Sequence, residues 1–166
     1  NGPVSNYLEM LRISKMTDYA VVLATHLAGA QGAHAARDLA LHTQIPEPTA
    51  SKVLKKLARA GVVTSQRGAK GGYALARPAE HIGIHQVIEA IEGPIAVTEC
   101  SDETNDSFCE YETNCGVRAN WQRINVAVQR ALSEITLADM AVPGTAELVS
   151  LARSGIEANR LRAALE

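Results

Sequence analysis

The sequence has few aromatic residues and few cysteines, and it lacks a long apolar run. Only 4% of its 166 residues are aromatic, whereas Ala and Leu are abundant, which favours helices. No apolar stretch approaches the roughly 18 residues that span a bilayer, and no secretory signal is recognisable. We therefore expect a mainly helical cytoplasmic protein without a membrane partner.

One sign of charge is missing from each of two adjacent parts of the chain. The charged residues of 48–79 are all basic, and those of 80–117 are all acidic. A net charge of only −2 conceals this division. A basic block of this kind favours a polyanionic partner, of which double-stranded DNA is the natural candidate.

The pattern of apolar residues predicts an order of elements that is typical of one fold class. Helices are predicted at 17–30, 35–44, 48–61, 82–93 and 116–141, and strands at 62–66 and 73–77. The two strands are joined by RGAKGG, whose glycines allow a tight reversal. Two helices, a proline turn, an amphipathic helix and a basic hairpin together predict a winged helix-turn-helix.

The third predicted helix separates its apolar residues from its cationic ones. At 100° per residue, Val53, Leu54 and Leu57 share one arc, and the lysines share the opposite arc. Helices of this class lie in the major groove, and their dimers read palindromic operators. We predict that DNA is bound by Thr49, Ser51, Lys52, Lys55, Lys56, Arg59, Arg67, Lys70 and Tyr73.

All three cysteines, Cys100, Cys109 and Cys115, lie in one acidic stretch. An odd number argues against a disulfide framework, and tight zinc sites usually contain CxxC pairs, which are absent. Thiolates suit zinc and iron–sulfur clusters alike, and widely spaced ones can wrap a cluster. The sequence favours metal or cluster binding, with a thiol redox switch and incidental cysteines as alternatives. A fourth ligand is left open: a carboxylate, a histidine, water or a partner's group.

Three stretches resemble the Rrf2 family of bacterial winged-helix regulators, which includes repressors of iron–sulfur cluster assembly and a nitric-oxide-sensing repressor. They are RISKMTDYAVVLATHLA, then IPEPTASKVLKKLARAGVVTSQRGAKGGYALARP, and the triple cysteine before a long helix. The resemblance covers about residues 10–141. Within the family, the chain is most similar to regulators of the Suf cluster-assembly system.

The resemblance implies a homodimer and a bound cofactor. The long helix, 116–140 here, would cross its mate through Trp121, Ile124, Val128, Leu132 and Ile135. An iron–sulfur cluster (2Fe-2S or 4Fe-4S) would be held by Cys100, Cys109 and Cys115. One branch of the family adds a histidine three residues after the last cysteine, but Arg118 stands there. Another branch adds a carboxylate from the partner's first helix, and Asp18 matches that position.

These observations predict four parts of the chain. Residues 1–9 are expected to be foreign to the native chain or disordered, and 10–80 to bind DNA. Residues 81–141 would hold the cluster loop and dimerisation helix, and 142–166 a tail with helical potential.

The predicted function is that of a transcriptional regulator, in the role of repressor, that senses cluster or redox status. A change of cluster state would alter the spacing of the two recognition helices. A thiol- or zinc-based sensor on the same scaffold is the alternative, and a metal carrier or electron-transfer protein is the alternative from another class. An enzyme is not expected, because no nucleophile–base pairing or phosphate-binding glycine loop is recognisable.

Overall fold

The computed structural model describes residues 13–68, 71–98 and 115–142. In chain order, its elements are α1 (Lys15–Ala28), α2 (Ala36–Thr43), α3 (Glu47–Arg59), β1 (Val63–Gln66), β2 (Gly72–Leu75), a 3₁₀ turn (Ala79–His81), α4 (Ile84–Glu92), α5 (Arg118–Ser133) and α6 (Leu137–Ala141). The predicted fold class, mainly helical with a small hairpin wing, is confirmed. The predicted N-terminal segment 1–9 and nearly all of the tail lie outside the described residues.

Helix α1 begins earlier than the sequence pattern indicated. Ser14 is the N-cap, three residues before the predicted start at 17, and its hydroxyl accepts a hydrogen bond from the Thr17 amide at 3.3 Å. Asp18 lies in the first turn, where the helix dipole favours a negative charge. Gly29 is the C-cap, so the helix ends at Ala28, two residues before the predicted end.

Helix α3 is bounded by residues with restricted or unusual backbone geometry. Pro46 is the N-cap, and Pro48 lies within the first turn, where its missing amide hydrogen costs nothing. At the other end, Gly61 has φ of +72°, its amide donates to Ala58, and the Val62 amide donates to Leu57. This pair of bonds is the Schellman motif, which requires a left-handed residue.

The wing is a hairpin that is also tied to the helical part. Strands β1 and β2 are antiparallel, with Val63 opposite Leu75 and Gln66 opposite Gly72. On its other side, Tyr73 exchanges two backbone hydrogen bonds with His34, at 2.8 and 2.9 Å. The wing is therefore anchored to the segment between α1 and α2.

One apolar core holds the described residues together. Leu23 of α1, Leu39 of α2, Leu54 and Leu57 of α3, and Val87 of α4 are all fully buried. Together with the rest of this cluster, they fix α3 against three other helices. Because the apolar face of α3 is fixed in the core, the opposite face of the helix is the one exposed to solvent.

The prediction of one uninterrupted helix over 116–141 was wrong. The chain leaves the helical path after Ser133 and restarts at Leu137, with Thr136 as N-cap. Thr136 and Asp139 form a capping box, in which each side chain accepts from the other residue's amide. The interruption lets Ile135 accept a bond from Ile84 at 2.8 Å and lets Leu137 enter the core.

Within the described ranges, none of the helices combines the length and apolar character that crossing a bilayer requires.

Candidate nucleic-acid interface and sensor region

The two faces of α3 differ in burial as the sequence predicted. Its apolar face is buried in the core through Ala50, Val53, Leu54 and Leu57. On the opposite face, Lys52, Lys55 and Arg59 are exposed, and Thr49 and Ser51 are half-buried. Short hydroxyl side chains near the start of α3 and cations along it form a surface that can contact both base edges and phosphates.

Lys56 differs from the other cations of α3. Its ammonium group donates a hydrogen bond of 3.0 Å to the Ile91 carbonyl, at the end of α4. The side chain is half-buried rather than exposed. Sequence reasoning had grouped Lys56 with the DNA-binding lysines, because helical periodicity does not show which neighbouring helix an edge residue meets.

The wing presents its charge at the turn between the strands. Arg67 is exposed, and Lys70, the second predicted contact of the turn, lies outside the described residues. Gly68 has φ of +116°, and a side chain on Gly71 would collide with the Gln66 carbonyl. The turn thus depends on glycine. Tyr73 is half-buried and packs against the core, so its ring supports the wing.

Two of the four predicted cluster ligands lie in the described part of the chain. Cys115 is half-buried just before α5, and Asp18 is exposed on α1. Cys100 and Cys109 lie outside the described residues. Within the ranges that the structure covers, no three His, Cys, Asp or Glu side chains come close enough to hold a metal ion.

Helix α5 forms hydrogen bonds with the segment that precedes the cysteine stretch. The Val97 amide donates to the Asn125 side chain at 3.1 Å, and the Gln129 side chain donates to the Ile95 carbonyl at 3.0 Å. Asn125 is only 7% exposed. Sequence reasoning missed both residues, since a polar residue on a helix carries no signal of a partner some 30 positions away.

The predicted dimer residues do not all face outward. Trp121, Ile124 and Ile135 are 37%, 44% and 42% exposed. Val128 is half-buried, and Leu132 packs against the core of its own chain. Trp121 and Ile124 are therefore the residues of the predicted face on α5 that its own chain leaves exposed.

An apolar groove of about 730 Å³ lies between α1, α4, α5 and α6. Val21, Ile88, Leu132 and Met140 line it, and Asp18 stands among them. Ser14 and Lys15 line the groove beside Asp18, so its edge along the start of α1 is polar and carries both signs of charge.

A group that joins α1, α3 and α4 was also missed. The Glu92 carboxylate accepts hydrogen bonds from the Thr17 hydroxyl and, at 3.3 Å, from the Ser14 amide. Hydrogen bonds from Ser14 and Thr17 hold the pKa of Glu92 below 4.5, and the charge of Lys56 adds to this. No sequence signal marks this group, because Glu92 lies more than 70 positions from Ser14 and Thr17 along the chain.

A helix-turn-helix with an exposed cationic recognition helix and a glycine-dependent wing defines a class of nucleic-acid-binding protein. The Rrf2 family model, described as an iron-dependent transcriptional regulator, matches residues 13–143. The chain therefore belongs to the Rrf2 family of transcriptional regulators, and the resemblance stated from the sequence is confirmed.

Individual relatives agree with this assignment. An HTH-type transcriptional regulator of Neisseria meningitidis is 39% identical over 82 residues, which are 49% of this chain and about half (53%) of that protein. The HTH-type transcriptional regulator NsrR of Oceanobacillus iheyensis is 31% identical over 89% of this chain and 99% of its own length. The structure of CymR, the global cysteine regulator of B. subtilis, superposes with a TM-score of 0.60 at 30% identity, over 80% of this chain and 97% of CymR.

Proposed function

We propose that this protein is a transcriptional repressor that binds a palindromic DNA operator as a homodimer. The observation that carries the proposal is the division of α3 into a fully buried apolar face and an exposed face with Lys52, Lys55 and Arg59. A helix of this diameter fits the major groove of DNA. Membership of the Rrf2 family supports the same function.

The homodimer is supported by how little of α5 is buried within its own chain. The helix has 16 residues, yet Asn125 is its one residue that is buried within the described chain. A helix with so little packing gains little stability by itself. We infer that a second copy covers Trp121 and Ile124, and that this contact sets the distance between the two recognition helices. Half-sites one helical turn apart require roughly 34–36 Å between them.

We propose further that the protein senses iron–sulfur cluster or redox status through Cys100, Cys109 and Cys115. Three thiolates and one carboxylate are a donor set that suits iron–sulfur clusters. Cys115 and Asp18 fit the role, because Cys115 begins the turn before α5 and Asp18 lines the groove. When bound, such a cluster supplies iron centres whose oxidation state or loss reports cellular conditions. The narrower assignment to the Suf system stays a prediction.

The DNA-binding function is tested by the salt dependence of binding. The probe is a duplex that the protein selects from a random-sequence library. Lys52→Ala and Lys55→Ala are each expected to lower the slope of log affinity against log salt by about one unit, because each removes one phosphate contact. Arg130→Ala is the control, since this exposed cation on α5 pairs with Glu134 at 3.0 Å. If no duplex is enriched, or the Lys55→Ala slope equals that of Arg130→Ala, the assignment of α3 as the reader fails.

The sensing function is tested by anaerobic reconstitution with ferrous iron and sulfide. We expect visible absorption and bound iron and sulfide in the intact protein. Cys→Ser at 100, 109 or 115 should abolish both, and Asp18→Ala should change the spectrum. Colourless protein with stoichiometric zinc would favour the zinc-based alternative. Cluster binding without any selected duplex would favour an electron carrier.

A further inference from the structure

The end of α4 contacts both the start of α1 and the recognition helix. Glu92, its last residue, accepts from the Thr17 hydroxyl and from the Ser14 amide of the α1 N-cap. Thr17 is fully buried, and its hydroxyl also lies 3.3 Å from that of Ser14. Glu92 is exposed, and these two donors on the same helix end orient its carboxylate towards α1.

The recognition helix joins the same place through Lys56. The Lys56 ammonium group donates to the carbonyl of Ile91, the residue before Glu92. An α4 carbonyl in the last turn has no partner within its own helix, so this bond completes the helix end. A cation at that end also interacts favourably with the helix dipole.

Both predicted sensing elements begin at this place. Asp18 follows Thr17 directly, and its amide donates to the Ser14 carbonyl at 3.0 Å. On the other side, Gly93 follows Glu92 with φ of +92°, and the chain then runs to Val97 and on to the cysteine stretch. Glu92 therefore lies next to both elements, in addition to the direct packing of α1 on α3.

We propose that Glu92 with Ser14, Thr17 and Lys56, here called the Glu92 joint, couples the sensing elements to the recognition helix. The proposal rests on the proposed sensing function. Glu92 and Thr17 are positioning residues, which contact neither cofactor nor DNA. The joint holds α3 and the first turn of α1 in one relative position, so that a change around Asp18 or Gly93 shifts α3. Polar contacts with fixed donors suit this role, because they have few alternative arrangements.

The first experiment measures affinity for the selected duplex with cluster-loaded and cluster-free protein. Typical allosteric coupling changes affinity about 5–150-fold. We expect that ratio in the intact protein and a ratio below about twofold in Glu92→Ala, which removes the acceptor, and in Thr17→Val, which removes a donor. The control is Glu89→Ala, one turn earlier on α4, whose side chain makes no hydrogen bond with another described residue. A wild-type ratio in both Glu92→Ala and Thr17→Val overturns the joint.

The second experiment needs no cluster and separates the joint from the proposed sensing function. Amide hydrogen exchange is followed in the cluster-free protein. Glu92→Ala is expected to accelerate exchange together in residues 15–20 and 53–60, and Glu89→Ala to leave both unchanged. Acceleration confined to α4 overturns the joint, even if the wild-type protein senses the cluster. Joint acceleration in a protein whose affinity ignores the cluster supports the mechanical link and rejects the sensing function.

Discussion

The recognition helix and the predicted dimerisation helix are held in the structure by different forces. Helix α3 buries four apolar side chains against three other helices, whereas α5 buries one polar side chain, Asn125. The contacts of α5 with the preceding chain run from Asn125 and Gln129 to the backbone at 95–97. Apolar burial stabilises and polar contacts specify position.

The difference indicates which part of the molecule is complete within one chain. The winged helix-turn-helix, here called the reader, has its own apolar core. Its shape therefore does not depend on a partner. Helix α5 exposes Trp121 and Ile124, which a second copy would cover in the proposed homodimer. In a regulator of this kind, each rigid reader is joined to a helix that packs against the second copy of the chain. A shift at that contact can change the spacing of the two readers.

The largest effect that this comparison predicts concerns the dimer. Ile124→Asp would place an unpaired carboxylate in the interface, which costs roughly 3–5 kcal/mol, so the dissociation constant should rise by at least about 100-fold. Val126→Asp is the matched control, since Val126 is 61% exposed and lies on the opposite side of α5. Sedimentation velocity over a concentration series measures both. Equal weakening by the two variants would show that α5 does not present the predicted face to its mate.

A smaller effect is expected from the core of the reader. Leu54→Ala removes a fully buried side chain, and we expect the free energy of unfolding to fall by about 2–5 kcal/mol. Leu41→Ala, at a site that is 69% exposed, should change it by less than about 0.5 kcal/mol. Urea unfolding at several protein concentrations also separates the two regions. The loss of unfolding free energy caused by Leu54→Ala should be the same in dilute protein. The loss caused by Ile124→Ala should depend on protein concentration.

The end of α3 provides the next prediction. Gly61→Ala forces an L-residue into φ of +72°, so the free energy of unfolding should fall by about 1 kcal/mol. Gly116→Ala is the control, because no described atom lies within 4 Å of the added methyl group. Thermal unfolding monitored by circular dichroism is sufficient to compare them. A neutral Gly61→Ala would mean that the chain adjusts without the Schellman motif.

Much of the reader could be predicted from the sequence because local signals agree there. The proline turn, the two faces of α3 and the glycines of the wing each point to the same fold. The residues TLAD at 136–139 form a capping box that also could have predicted a helix start. The spacing of apolar residues before and after it, however, favoured a single helix. The interruption is stabilised by backbone bonds from Ile135 and Leu137 to residues near α4, which no local pattern reveals.

The site was predicted less completely than the fold, for a related reason. Exposed cations on α3 follow from periodicity, but the different environment of Lys56 follows from the position of α4. The same holds for Glu92, whose partners Ser14 and Thr17 lie at the start of the described chain, more than 70 positions away. Long-range polar contacts depend on tertiary packing, and residue type alone gives no direction for them.

The smallest predicted effect is the dependence of stability on pH that Glu92 contributes. Hydrogen bonds from Ser14 and Thr17 lower the pKa of Glu92 below its ordinary value of 4.5. A carboxyl whose pKa is depressed on folding adds stability that is present above the unfolded value and is lost as pH falls through the folded value. The difference in unfolding free energy between the intact protein and Glu92→Gln should therefore be constant near neutral pH and shrink as pH falls below 4.5. Thr17→Val removes the hydroxyl that donates to Glu92. The difference in unfolding free energy between the intact protein and Thr17→Val should therefore shrink over the same pH interval. Because Glu92 is exposed and solvent screens its charge, urea midpoints at closely spaced pH values are needed, and a difference that grows in acid would contradict the assigned hydrogen bonds.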